Sequence, residues 1–240
     1  MTWIVDVLLA LLYPPSCVAC DRDLLRAGPP RFCGACRASL GNVVDPCRHC
    51  AEPAAAPICD RCALDLPPFR RTLACSPYRD DSTLAAAIVR WKYDGAPEVG
   101  VALEREFAER TASAGLCYDL VVPVPLHRSK LRSRGFNQAA LLARALTRLA
   151  PTTGRFAPDV LIRTSAASVQ ARLGRGARSR NARAAFRARR PVPGRTILLV
   201  DDVFTSGATA ASCASALRDA GASLVDVAVL ARTPRSGARP

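Results

Sequence analysis

Asp201 and Asp202 stand side by side at the end of an apolar run, and Thr205, Ser206, Gly207, Ala208 and Thr209 follow after Val203 and Phe204. Those residue types in that order suit a phosphorylated sugar. Gly207 lets the backbone fold tightly and approach a ligand. The turn aims several backbone N–H groups at one point, and Thr205, Ser206 and Thr209 add hydroxyl donors. A helix opening at Ala208 contributes the partial positive charge of its N-terminus. Together these form a cup for a phosphate. The two carboxylates cannot touch that phosphate without repulsion. They can accept hydrogen bonds from neighbouring hydroxyls, or hold Mg²⁺ with a phosphorylated sugar. A phosphate with vicinal hydroxyls nearby is a ribose 5-phosphate. An ordinary α/β turn with solvated acids is the plainer reading. A receiver-like acidic pocket is a third, although receivers lack this Thr-Ser-Gly-x-Thr loop.

The elements that must position the cup are legible around it. Ile197, Leu198, Leu199 and Val200 read as a strand buried on both faces, the pattern of a parallel sheet. A strand over Thr196–Asp201 and a helix over Ala208–Leu217 would put the acids and the turn at one seam. Asp119–Leu126 is a second strand ending in two prolines, Pro123 and Pro125, which stiffen the loop that follows. It runs into Arg128, Lys130, Arg132 and Arg134, four cations that suit a pyrophosphate, ahead of a helix from about Phe136 to Leu149. His127 is read as structural or exposed. Leu84, Ile88 and Trp91 recur at helical spacing, with Gly95 at the C-cap, and a further helix spans about Pro97 to Thr111. Trp91 and Tyr93 are expected to pack, with base stacking as the alternative, and Lys92 to face solvent or a ligand. Asp159–Arg163 is another strand. A long basic loop follows from Thr164 to about Ala184, the kind that is usually functional or disordered. Leu224–Ala231 is the last strand, and Arg232–Pro240 reads as a loose tail.

Eight of the eleven cysteines fall into C-x-x-C pairs: Cys17/Cys20, Cys33/Cys36, Cys47/Cys50 and Cys59/Cys62. Each pair is a knuckle with two thiolates on one turn, and two knuckles close a tetrahedron around Zn²⁺. Pairing in sequence order gives two structural zinc sites, one from the first four cysteines and one from the last four. Interleaved pairing is the alternative, and a disulfide framework would need an oxidising compartment. His49 lies inside the third knuckle, where a complete Cys₄ set leaves it no coordination position. Such a module should unfold without metal. Cys75, Cys117 and Cys213 lack a pair and read as small buried residues.

The net charge is +14, and only Lys92 and Lys130 of its 34 basic residues are lysine. From Leu120 to Val200, 17 Arg and Lys face one acid, Asp159, so that span alone is +16. Such a surface favours polyanions, from pyrophosphate to nucleic acid; a solvated basic face is the plainer alternative. Trp3–Tyr13 is apolar, but too short to span a bilayer. It has neither the basic start nor the cleavage site of a signal peptide. The expectation is a short amphipathic helix packed on the protein, or else lying on a membrane surface, and a cytoplasmic chain.

The run Ile197–Thr209 closely resembles the ribose-phosphate motif of type I phosphoribosyltransferases. The whole chain resembles the ComF family, which joins an N-terminal double zinc ribbon to a phosphoribosyltransferase-like domain. Three further stretches carry that likeness: Ile88–Gly95; Val122–Leu126 with Arg134–Gln138; and Gln170 through Leu173, Arg180 and Asn181 to Phe186. Ser206 in place of the more usual Thr, and the bulky Phe204, are departures that remove no phosphate donor.

The resemblance implies an α/β fold with a mainly parallel sheet; Pro67-Pro68 marks the boundary between residues 1–66, the N-terminal helix and double zinc ribbon, and 67–240, the phosphoribosyltransferase-like domain. Asp201 and Asp202 would take the ribose 2′ and 3′ hydroxyls, with Mg²⁺, and Thr205–Thr209 the 5-phosphate. Arg128, Lys130, Arg132 and Arg134 would take the pyrophosphate of phosphoribosyl pyrophosphate (PRPP), and the long loop would close above. The implied role is DNA uptake or processing in competence, with single-stranded DNA as ligand and a DNA-uptake or helicase-type protein as partner. The alternative is an active Mg²⁺-dependent phosphoribosyltransferase acting on an unidentified base or other nucleophile. No residue stands out as a general acid or base for that transfer.

Overall fold

The structure, a computed structural model, describes residues 15–24, 28–164 and 185–234. The expected N-terminal helix and nearly all of the long basic loop lie outside these residues.

Among the described residues, seven strands are β1 (Thr72–Pro77), β2 (Leu120–Pro123), β3 (Arg155–Phe156), β4 (Leu161–Arg163), β5 (Phe186–Ala188), β6 (Thr196–Phe204) and β7 (Leu224–Arg232). The helices are α1 (Gly34–Ser39), α2 (Asp60–Leu64), α3 (Thr83–Tyr93), α4 (Pro97–Ala112), α5 (Arg128–Arg134), α6 (Gln138–Leu149) and α7 (Ala208–Asp219). Five strands form one sheet in the order β1-β7-β6-β2-β3, with every pairing parallel. The all-apolar reading of Ile197–Val200 follows from this placement. β6 is central and covered on both faces, so each of those four side chains is fully buried. Leu198 and Val200 pack with Leu103 and Phe107 of α4 and Leu142 and Leu146 of α6. Ile197 and Leu199 pack with Cys213, Ala214 and Leu217 of α7.

The two halves of the zinc ribbon join opposite faces of this sheet. Val18, Phe32 and Leu40 belong to the apolar cluster of Leu198, whereas Cys47, Cys50 and Cys62 belong to that of Ile197. A buried carboxylate fixes the start of β1 beside β7. Asp226 is fully buried and accepts from Arg70 Nε (3.0 Å), Arg71 Nε (2.8 Å) and the Tyr118 hydroxyl (2.8 Å).

Several boundaries differ from the sequence expectation. The strand expected over Asp159–Arg163 is β4, Leu161–Arg163, and it pairs antiparallel with β5 outside the main sheet. Thr164 N donates to Ala185 O (3.0 Å), so this pair joins the two ends of the basic segment. The tail does not begin at Arg232. That residue is the last of β7 and is 1% exposed, because its guanidinium is held by buried acceptors described below. Cys75 and Cys213 are buried as expected, but Cys117 is exposed in the turn before β2. Among the described residues no helix is long and apolar enough to cross a membrane.

Candidate functional site

The chain connections reverse direction between β2 and β6. From β2 the chain passes through α6 to β3 on one side, and from β6 through α7 to β7 on the other. A crevice opens at the C-terminal ends of the two strands where such a reversal occurs, and ligands of open α/β sheets bind there. The ladder between β2 and β6 ends at Pro123↔Val200, closed by Val124 N donating to Val200 O (2.9 Å). β6 runs on to Phe204, further than the expected end at Asp201, with β7 alongside. Asp201 and Asp202 therefore lie within the strand, just past the end of its ladder with β2.

The two acids have different surroundings. Asp202 is turned towards α3, where the Lys92 ammonium forms an ion pair with it; the two side chains are 15% and 17% exposed. Lys92 is thus neither solvent-facing nor free for a ligand. Its stem is held by the packing of α3, in which Trp91 is buried and stacks on Phe136 at 6.0 Å. Asp201 lies on the α7 side, within electrostatic reach of the buried Cys213 thiol. Burial and the neighbouring Asp202 carboxylate push Asp201 up to about 8, against the smaller opposing pull of Lys92. Its Oδ1 accepts from Asp202 N (2.9 Å), and Asp202 Oδ1 accepts from Val203 N (2.7 Å).

The turn after β6 has the expected form. Gly207 adopts φ +81°, caps α7, and leaves no room for a side chain: a Cβ there would sit 2.6 Å from the Phe204 ring. Ser206 Oγ accepts from Ala208 N (3.3 Å). Thr205, Ser206, Ala208 and Thr209 are exposed around the helix start. Phe204 forms the underside of the turn, edge-on to Phe69 at 6.1 Å. Its bulk, a departure in sequence, is here a support.

The basic segment after β2 is a helix rather than a loop. His127 caps α5 by accepting from Ser129 N (3.3 Å), a structural role, and Gly135 ends it at φ +80°. Asn137 then starts α6, later than the expected Phe136. Its Nδ2 donates to Val124 O (3.0 Å), tying the helix to the end of β2. On a helix of 3.6 residues per turn, Arg128 and Arg132 share one face, and Lys130 and Arg134 the opposite one. Arg134 is engaged: it donates to the Tyr93 hydroxyl (2.8 Å) and to Gln138 Oε1 (3.3 Å), with its guanidinium 4.9 Å from the Tyr93 ring centre. Arg128, Lys130 and Arg132 are exposed.

The cysteines gather in sequence order, Cys17, Cys20, Cys33 and Cys36 in one group and Cys47, Cys50, Cys59 and Cys62 in the other, with all sulfurs of a group within 4.8 Å. A tetrahedron with Zn–S of about 2.3 Å has edges of about 3.8 Å. The Cys20–Cys33 and Cys50–Cys59 sulfurs lie 3.8 and 3.6 Å apart. Backbone N–H groups point at the sulfurs as a knuckle requires: Cys33 N to Cys17 Sγ (3.2 Å) and Cys59 N to Cys47 Sγ (3.3 Å). Burial raises the Cys17 and Cys47 thiols, but their N–H donors outweigh it and bring each down to about 6. Both sets thus fit Zn²⁺, and the in-order pairing holds. His49 stays outside the second set, with Nδ1 2.6 Å from Arg70 O.

Residues that the sequence reading did not single out join the second zinc set to the cup. Arg61 Nη1 donates to Ser206 O (3.2 Å). Arg232 donates to Cys50 O (2.9 Å) on one side and to Thr205 O (2.9 Å) on the other. The one signal in the sequence is a lone arginine closing a strand that is otherwise almost wholly apolar.

A family model described as the double zinc ribbon domain matches residues 8–63. The chain is 33% identical over 231 residues to DNA utilization protein YhgH of Escherichia coli O6:H1, covering 93% of this chain and 99% of that one. It is 27% identical to Competence protein F of Haemophilus influenzae over 227 residues, 90% of this chain and 96% of that one. Among solved structures it is similar to the glutamine phosphoribosylpyrophosphate amidotransferase of B. subtilis, with 18% identity and a TM-score of 0.41 over 59% of this chain and 30% of that one.

Proposed function

This chain belongs to the family of DNA utilization protein YhgH and Competence protein F, and we propose that it acts in DNA utilisation by binding a ribose 5-phosphate group at the crevice between β2 and β6. The observation that carries this reading is the meeting of Asp201 and Asp202 with the Gly207 turn at the reversal point of the sheet. The N-terminus of α7 and the Thr205–Thr209 hydroxyls supply donors for a phosphate. The two acids supply acceptors for ribose hydroxyls and oxygen ligands for Mg²⁺. PRPP presents all of these groups in one molecule.

Single-stranded DNA is the second ligand in this reading. α5 leaves the crevice directly after β2, with Arg128, Lys130 and Arg132 exposed along it. A strand following that helix by its phosphates would reach the cup with one end. Both zinc sets serve as structure, holding the ribbon against the sheet.

The test is a calorimetric titration of PRPP with Mg²⁺ into the zinc-loaded chain, beside the Asp201→Asn/Asp202→Asn variant. Binding in the micromolar range, lost in the variant, is expected. A folded wild-type chain that takes up no PRPP would remove the ribose-phosphate reading and leave the basic surface as the remaining route to nucleic acid.

A further inference from the structure

Arg232 is an unusual place for a cation. Its side chain is 1% exposed at the end of β7, between β1 and β6 in the sheet, and Glu52, 8% exposed, pairs with it. The guanidinium divides its donors between two parts of the molecule. Nε reaches Cys50 O (2.9 Å), inside the Cys47/Cys50 knuckle of the second zinc set. Nη1 reaches Phe204 O (3.3 Å) and Thr205 O (2.9 Å), at the root of the phosphate turn. The plane lies 5.0 Å from the Phe204 ring centre, and that ring is the surface on which Gly207 rests. Glu52 is itself part of the knuckle, because its carbonyl accepts from Cys47 N (2.7 Å). A second link runs in parallel, from Arg61 in α2, beside the ligand Cys62, to Ser206 O.

The first zinc set is anchored elsewhere. Its contacts run through Arg37 to Glu106 and Glu109 of α4, and through Val18 O to Arg90 of α3, on the other face of the sheet. The two metal sites are therefore not equivalent with respect to the cup.

We propose that the second zinc set is the platform of the phosphate cup, with Arg232 and Glu52 as positioning residues, so that anion binding at the cup and metal retention at Cys47, Cys50, Cys59 and Cys62 are coupled while the first zinc set is not. This rests on the ribose-phosphate reading above. A buried charge stays in place only while its partners do. If the knuckle relaxes, Glu52 and the Cys50 carbonyl leave Arg232, and Thr205 O loses the guanidinium donor that sets it, while Phe204 O keeps only Thr233 N. Coupling between two sites is reciprocal in free energy, so a ligand that fixes the turn must also fix the metal.

The experiment measures zinc release from the zinc-loaded full chain to a coloured chelator, with and without ribose 5-phosphate and Mg²⁺, after calorimetry has established that the sugar phosphate binds. One of the two release phases should slow by about fivefold or more, the low end of typical coupling, and the other should not change. Cys20→Ser, which weakens the first set, should keep the ligand-sensitive phase, and Cys59→Ser should abolish it. Glu52→Gln should retain both zinc ions yet weaken ribose 5-phosphate about tenfold and erase the slowing. The wild-type kinetics stand even if a variant fails to fold. Binding of ribose 5-phosphate with neither phase slowed, or with both slowed alike, overturns the coupling alone. No binding to the wild type overturns the cup reading and the coupling with it.

Discussion

The ammonium of Lys92 on α3 is paired with the carboxylate of Asp202 on β6, just ahead of the Gly207 turn. Lys92 supplies positive charge to both adjacent carboxylates. Replacing it by Met leaves two adjacent, largely buried carboxylates without their cation. Lys92→Met should destabilise the fold by roughly 1–3 kcal/mol, below the cost of breaking a fully buried pair. It should also gain more from Mg²⁺ than the wild type does. Denaturant unfolding with and without Mg²⁺ measures both effects. A variant as stable as the wild type, with no added response to Mg²⁺, would show that the pair has no energetic role.

Asp201 gives the site a pH dependence of definite sign. Its folded value of about 8 lies above the ordinary Asp value of 3.8, so the native state holds this proton more tightly than the unfolded chain does. The stability it contributes is complete below the unfolded value and is lost as pH rises through about 8. Ligand binding at the proposed site should have the opposite preference, because the ionised carboxylate offers more acceptor sites to ribose hydroxyls and coordinates Mg²⁺. Affinity for ribose 5-phosphate with Mg²⁺ should rise between pH 6.5 and 8.5, and at pH 7 binding should release about one proton. Titrations in buffers of different ionisation enthalpy count that proton. Asp201→Asn should release none, and equal release from both chains would contradict the assignment.

How much of this was legible in sequence depends on the range of the interactions. The zinc knuckles, the central strand and the Gly207 turn are local: each needs only neighbouring residues of the right type, and each stands where the sequence indicated, the strand running on past Asp201 to Phe204. Lys92, Arg232 and Glu52 were missed or misread because their partners lie far along the chain. Glu52 and Arg232 meet only once β7 is laid beside the ribbon. Lys92 meets Asp202 only once α3 packs over β6. The helical form of Arg128–Arg134 was hidden for another reason. A lone histidine cap and a glycine stop enclose a segment whose charges read as a loop.

Gly207 is the most sensitive position in the turn. An alanine there must hold a left-handed backbone, at roughly 1–2 kcal/mol, and place its Cβ 2.6 Å from the Phe204 ring. Phe204 cannot yield easily, since Phe69 and Arg232 enclose it. Gly207→Ala should lower ribose 5-phosphate affinity at least tenfold while both zinc ions stay bound. Calorimetry with metal analysis of the same sample checks this, and unaltered affinity would mean that the turn is not where the phosphate sits.

Asp226 tests the fold rather than the site. Burial raises its carboxyl, but the donors from Arg70, Arg71 and Tyr118 outweigh that and hold it below the usual range. The stability it gives is present above the unfolded value and is lost as pH falls through the folded one. Asp226→Asn leaves Arg71, which is only partly exposed, without its carboxylate. A loss of roughly 3 kcal/mol is expected, at the low end for a broken buried pair. Urea unfolding at neutral pH reads it directly, and the gap between the two chains should narrow in acid. A gap that holds constant down to pH 3 would place the effect in packing instead of charge.

The α5 cations give the DNA reading its sharpest consequence. Arg128 and Arg132 are exposed on one face of the helix, whereas Arg134 is held by Tyr93 and Gln138. A single-stranded oligonucleotide that contacts that face releases counterions, and the logarithm of its affinity falls with the logarithm of salt by about 0.7 per phosphate neutralised. Arg128→Ser/Arg132→Ser should reduce that slope by about 1.4, two contacts' worth, and weaken binding most at low salt. Arg134→Ser should instead loosen Tyr93 and leave the slope nearly unchanged. Fluorescence anisotropy across a salt series separates the two cases. If the Arg134 change moves the slope and the Arg128/Arg132 change does not, the nucleic acid lies on the opposite face of α5, along Lys130, and the path into the cup must be redrawn from there.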